Sequence, residues 1–163
     1  MDTQFSDSQI SSAEVKQAQL PHNLFIAGLF IFNLLMTPAI IALKIGMMGL
    51  FIPLLCSGCL VSYFYWRGSK VTSRFTAAHW KLAYKRGLLL FAGYAISGVL
   101  IFLAWLFSIS MSDASMGQIL WTALTRIALV PTLIFVMITM VMEFSAYSAA
   151  TKKKIPGKGA PII

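Results

Sequence analysis

Leu88–Phe107 reads LLLFAGYAISGVLIFLAWLF, an unbroken apolar run without a charged residue. A helix rises about 1.5 Å per residue, so about 20 residues match the roughly 30 Å hydrocarbon core of a bilayer. Within hydrocarbon the backbone amides have no water to bond, and a helix satisfies them inside the segment.

The same reasoning extends in both directions. Leu24–Leu43 is also free of charge, and Met48–Trp66 ends in the aromatic group Tyr63, Phe64, Tyr65 and Trp66, residue types that favour the headgroup level. The expected spans are 24–43, 48–66, 87–107 and 118–142. Together they predict an all-α integral membrane four-helix bundle. One transmembrane domain, 24–150, then lies between a polar N-terminal segment, 1–23, and a basic tail, 151–163. Lys44–Met47 is the expected first turn, and Pro38 is tolerable in a span whose neighbours re-satisfy the freed carbonyl. Ser11 and Glu14 have the spacing of a capping box. The first apolar run lacks a small-x-small cleavage pattern, so Leu24 onward is expected to be a retained span.

Composition excludes the common soluble alternative. The chain is 58% apolar and only 11% charged, against about 25% charged in soluble domains, so a water-soluble fold could not hide its apolar surface. The net charge of +8 raises nucleic-acid binding, but basic residues flanking apolar spans are already explained by the positive-inside bias and anionic headgroups. Lys and Arg number one in the N-terminal segment, six over Arg67–Arg86 and four in the tail, against Lys44 alone in the opposite turns. That asymmetry predicts cytoplasmic N- and C-termini in a multi-pass protein of a cell membrane, with the bacterial inner membrane as the expected setting. Between helices 2 and 3, Val71, Phe75, Ala78 and Leu82 recur at helical spacing beside Lys70, Arg74, Lys81 and Lys85. This predicts an amphipathic basic segment lying in the headgroup region.

A few polar groups interrupt the spans. Asn33 and Thr37 lie one turn apart, with Lys44 near the same face, and are expected to face protein as interhelical hydrogen-bonding groups. Arg126 and Glu143 are the candidate intramembrane charges, and groups of that kind are functional hypotheses by default. Thr122, Thr125, Pro131, Thr132 and Thr139 predict a polar, kinked face on the fourth helix. Gly93-x-x-x-Ser97 is a small-x-x-x-small packing face. Asn33, Thr37, Arg126, Thr132 and Glu143 are therefore the candidate partner or assembly residues. Arg67, Lys70, Arg74, Lys81, Lys85, Arg86, Lys152, Lys153 and Lys154 are the candidate contacts to anionic lipid.

Cys56-Ser57-Gly58-Cys59 places two thiols on one helix face, a pair that exchanges disulfides when a thiolate is accessible. In size and in this pair the chain is similar to four-helix membrane thiol oxidoreductases of the disulfide-bond-forming type. Those enzymes use a second cysteine pair in an outer loop, and this sequence has two cysteines only. Packing around Ser57, Gly58 and Ser62 is the expected role of this stretch. His22 and His79, the only histidines, fall on the expected cytoplasmic side, where bis-histidine haem ligation is conceivable and no further ligand is placed for zinc. His79-Trp80 is expected at the headgroups.

No G-x-S-x-G, phosphate-cradling glycine loop or carboxylate pair is present. The expected function is therefore non-catalytic and cofactor-free: an accessory or assembly subunit that binds partner helices, or a second copy of itself, together with anionic lipid. The alternatives are a thiol and quinone oxidoreductase using Cys56 and Cys59, and a small oligomeric transporter with a polar path near Asn33, Thr37 and Arg126.

Overall fold

Four helices organise the chain in a computed structural model that describes residues 10–156: α1, Ser12–Ala42; α2, Met48–Gly68; α3, Arg74–Ile109; and α4, Ala114–Thr151. Each is long and apolar enough to cross a membrane by length and composition. No strand occurs among the described residues. The helices contribute to two compact units, one formed by residues up to Gly87 together with those from Met140, the other by Leu88–Thr139.

In the first unit, α1 starts at the expected capping box. The Glu14 amide donates to the Ser11 hydroxyl at 3.2 Å, and the Ser11 amide donates to the Glu14 carboxylate at 3.0 Å. The helix widens to π geometry over Leu29–Met36 before returning to α geometry over Thr37–Ala42. The Thr37 hydroxyl donates to the Phe32 carbonyl five residues back, at 3.2 Å. Pro38, which has no N–H to donate to the i−4 carbonyl and whose ring crowds that carbonyl, accounts for a register change at this point. The turn that follows ends at Gly46, whose φ of 91° suits a residue without a Cβ. The interior joins α1, α2 and α3 through rings: Phe25 on Phe64 at 5.4 Å, and Phe64 on Trp80 at 6.0 Å between centroids. A Cβ at Gly87 would fall 2.5 Å from Val61, so glycine permits the close approach of α3 to α2.

The basic segment expected between helices 2 and 3 is not a separate element, and its interior face is not at the surface. Residues from Arg74 onward are the opening turns of α3, hydrogen-bonded without interruption into its apolar run. Trp80 and His79, expected at the headgroups, are buried. The physical reason is that a lone Gly87 does not stop a helix whose neighbours on both sides are good helix formers.

In the second unit, the Asp113 carboxylate caps α4 by accepting from the Ser115 hydroxyl and amide, each at 2.8 Å. Those bonds, with a further one from the Met116 amide, hold its carboxyl below the usual aspartate range. Further along, α4 is interrupted at Leu129, two residues before Pro131. The small-x-x-x-small face of α3 meets α4 just beyond that break. Ser97 Oγ accepts from the Thr132 amide at 3.2 Å and lies 2.8 Å from Thr132 Oγ1, which also reaches the Gly93 carbonyl at 3.3 Å. A side chain at Gly93 would collide with Phe135, its Cβ falling 2.7 Å from the Phe135 Cβ.

Candidate functional site

The first unit contains a chain of buried ionisable groups. His22 comes from α1 and lies directly after Pro21. His79 and Arg86 are seven positions apart on α3, so two turns place them on one face. Glu143 comes from α4. His22 Nδ1 stands 2.5 Å from Glu143 Oε2, and His22 Nε2 stands 2.9 Å from His79 Nδ1. At the far end His79 Nε2 lies 3.1 Å from the Lys154 carbonyl, just past the end of α4. Arg86 Nη1 donates to Glu143 Oε1 at 3.3 Å and to the Met142 carbonyl at 2.7 Å. His22, His79 and Glu143 have no exposed surface.

Hydrogen-bond chemistry sets how many protons this chain holds. A carbonyl only accepts, so His79 Nε2 carries a hydrogen toward Lys154. Glu143 Oε1 accepts from Arg86, so any carboxyl proton sits on Oε2, facing His22. Three placements then satisfy every contact: imidazolium at His79, imidazolium at His22, or a protonated Glu143. Each holds the same single proton beyond the two neutral rings and the carboxylate. Without it, two lone pairs face each other somewhere along the chain; with a second, two donor hydrogens do. The heavy-atom geometry accommodates a hydrogen-bonded relay from Glu143 through His22 to His79.

The same contacts tie three helices together. Removing one member of such a buried pair leaves an uncompensated charge and costs about 3–5 kcal/mol. All four ring nitrogens of His22 and His79 are engaged, which leaves none to ligate a haem iron. Among the described residues no group of three His, Cys, Asp or Glu is placed to hold a metal ion.

Several expected site residues have other surroundings. Glu143 and Thr132, expected to meet a partner, make their polar contacts inside the chain. Arg86, expected among headgroups, turns its guanidinium toward Glu143 because that carboxylate is the nearest buried counter-charge, and its side chain is only 13% exposed. Asn33 is buried on the π-helical stretch, the half-buried Thr37 donates its hydroxyl to its own helix, and Lys44 is exposed. Arg126 is exposed, in the last turn before the Leu129 break. Cys56 is half-buried and Cys59 exposed, and both thiols are free. Lys70, Arg74, Lys81, Lys85, Lys152 and Lys154 are exposed, while Arg67 and Lys153 are half-buried. The Lys70 ammonium lies over the Trp66 ring, 4.1 Å from its centroid.

The histidine chain was not anticipated from sequence, although one signal pointed to it. Glu143 is one of five acids in a chain of net charge +8 and stands in an apolar helix, where an ionisable group requires a partner. His22, His79 and Arg86 occupy the same expected end of their helices.

No family model matches this chain, and no curated protein or solved structure resembles it at a significant level.

Proposed function

We propose that the chain is a multi-pass membrane protein acting by contact, as an accessory or assembly subunit of a larger membrane complex. Its four helices cross a cell membrane as a bundle, with both termini and the Arg67–Arg86 region in the cytoplasm. The observation that carries this reading is the inversion of the usual soluble pattern. The most apolar 18-residue window of each helix is only 28% buried within the protein, whereas His22, Asn33, His79 and Glu143 are turned inside. In water such a surface exceeds what a soluble monomer tolerates; in a bilayer it is the ordinary outer face. Phe30, Leu35, Leu55, Phe102, Ile134 and Val141 are among the large apolar side chains left exposed.

Contact, not chemistry, is the function this arrangement favours. The ionisable groups His22, His79, Arg86 and Glu143 are bonded to one another, and exposed Lys and Arg cluster at the end of α2, the start of α3 and the end of α4. Those cations suit anionic headgroups or an acidic partner, each contributing about 1 kcal/mol near a charged bilayer. The test is extraction from native membrane in mild detergent, followed by crosslinking and mass spectrometry. A stoichiometric membrane-protein partner, or a defined homo-oligomer, is the expected result. Recovery as a monomer with no crosslinked neighbour would remove the subunit reading, and recovery in the aqueous fraction without detergent would remove the membrane placement itself.

A further inference from the structure

The turn between α2 and α3 encloses a groove of about 430 Å³ with apolar walls. It is open because its lining is small: Gly68 comes from α2, and Ala77 and Ala78 come from α3. Tyr65 and Tyr84 also line it, as a tilted pair 5.3 Å apart between centroids. Arg74 and Lys81 complete the α3 side. They lie seven positions apart, so about 10.5 Å separates them along one face of the helix. Both are exposed. The ion pairs among the described residues are His22–Glu143 and Arg86–Glu143, which leaves neither groove cation with a carboxylate partner there.

An apolar trough edged by two uncompensated cations is complementary to an amphiphile with an anionic head. We propose that this groove binds one anionic glycerophospholipid, its phosphate between Arg74 and Lys81 and its first acyl carbons against the tyrosine and alanine walls. The volume falls within the roughly 300–1,000 Å³ usual for small-ligand sites. A bilayer lipid is favoured over a soluble phosphate because a free anion gains nothing from apolar walls. Tyr63, Tyr65 and Trp66 also mark this end of α2 as interfacial. The inference rests on the membrane placement proposed above and goes beyond it, separating one retained lipid from the diffuse attraction of the basic residues.

The test is native mass spectrometry of the full-length protein in neutral detergent, titrated with phosphatidylglycerol or phosphatidylcholine. One phosphatidylglycerol per chain should be retained, and phosphatidylcholine should not. Ala78→Phe fills the groove without touching a charge and should abolish retention; Ala78→Leu serves if the larger ring prevents folding, which melting in detergent reveals. Arg74→Gln with Lys81→Gln should weaken retention about 30-fold, the loss of two cation contacts. Lys16→Gln with Lys44→Gln removes equal charge from exposed positions outside the groove and should leave retention unchanged. Retention that survives filling of the groove, equal retention of both lipids, or equal loss in the Lys16 and Lys44 variant would overturn the site. Competition by glycerol 3-phosphate at matched concentration would overturn the lipid as its occupant. Insertion into phosphatidylcholine vesicles reads the membrane placement separately, so its failure is distinguishable from failure of the groove.

Discussion

His22 and Glu143, 121 positions apart in the chain, meet with Nδ1 and Oε2 2.5 Å apart and neither side chain exposed. Through Arg86 and His79 that contact joins α1, α3 and α4 into one polar assembly. In low-dielectric surroundings such an assembly is costly when incomplete, so its members stand or fall together.

Glu143→Gln preserves the shape of the side chain but removes the charge that Arg86 faces. The expected loss is about 3–5 kcal/mol, read as reduced stability in reversible detergent unfolding. A second variant, Glu143→Leu with His22→Leu, His79→Phe and Arg86→Met, removes the ionisable set as a whole. It should recover much of that loss, because an apolar replacement leaves no buried charge behind. A loss below about 1 kcal/mol for Glu143→Gln, the range of an exposed pair, would show that the carboxylate is solvated.

The two histidine rings bond to each other, Nε2 of His22 to Nδ1 of His79 at 2.9 Å, so their contributions are not independent. In a double-mutant cycle of His22→Phe and His79→Phe, the coupling energy should fall within about 0.5–3 kcal/mol. Strict additivity would mean that the rings do not hydrogen-bond. His79→Phe alone also frees the Lys154 carbonyl. Amide exchange at the end of α4 and in the turn after it, Ala149–Lys154, should accelerate in that variant while the apolar part of α3 stays protected.

Ser97 supplies the acceptor for the Thr132 amide just after Pro131. Ser97→Ala leaves that amide without its acceptor while the Thr132 hydroxyl keeps the Gly93 carbonyl, at a cost of about 0.6–2 kcal/mol for an interhelical bond of this kind. Gly93→Leu should cost more, since Phe135 occupies the space a side chain needs. If Gly93→Leu is the milder of the two in unfolding experiments, the close approach of α3 and α4 at this level is wrong.

Asp113 lies between α3 and α4, and its carboxyl is held below the usual aspartate range by the Ser115 hydroxyl and amide. A depressed carboxyl stabilises the folded state above its unfolded value and loses that contribution as pH falls through the lower, folded value. Protection of the first turn of α4 should therefore be constant at neutral pH and decline only on the acid side of the ordinary aspartate range, near 3.8. Asp113→Ala should remove that acid step, and an unchanged acid profile would show that the cap is not formed.

Several features were legible from the residues because their causes are local. The capping box follows from Ser11 and Glu14, and the sharp turn before α2 from Gly46, where the backbone takes a positive φ. The packing role of Gly93 and Ser97 follows from their spacing, although their partners Thr132 and Phe135 do not. Less legible was the continuity of α3 through Gly87, since periodicity cannot separate a surface helix from the first turns of a longer one. The π geometry before Pro38 was also hidden, because proline signals a disturbance without saying how the backbone absorbs it.

Four long apolar helices, separated by short polar turns, were determined by the sequence alone. Hydrophobicity and the segregation of charge act residue by residue, whatever the rest of the chain does. Which charges meet was decided only by the tertiary structure. Arg86 looks like its basic neighbours and Glu143 like a residue awaiting a partner, and no spacing rule connects either to His22. Their association depends on which helix faces pack together, and burial then makes each ionisable group a counterpart for the others, with the Met142 and Lys154 carbonyls completing the set.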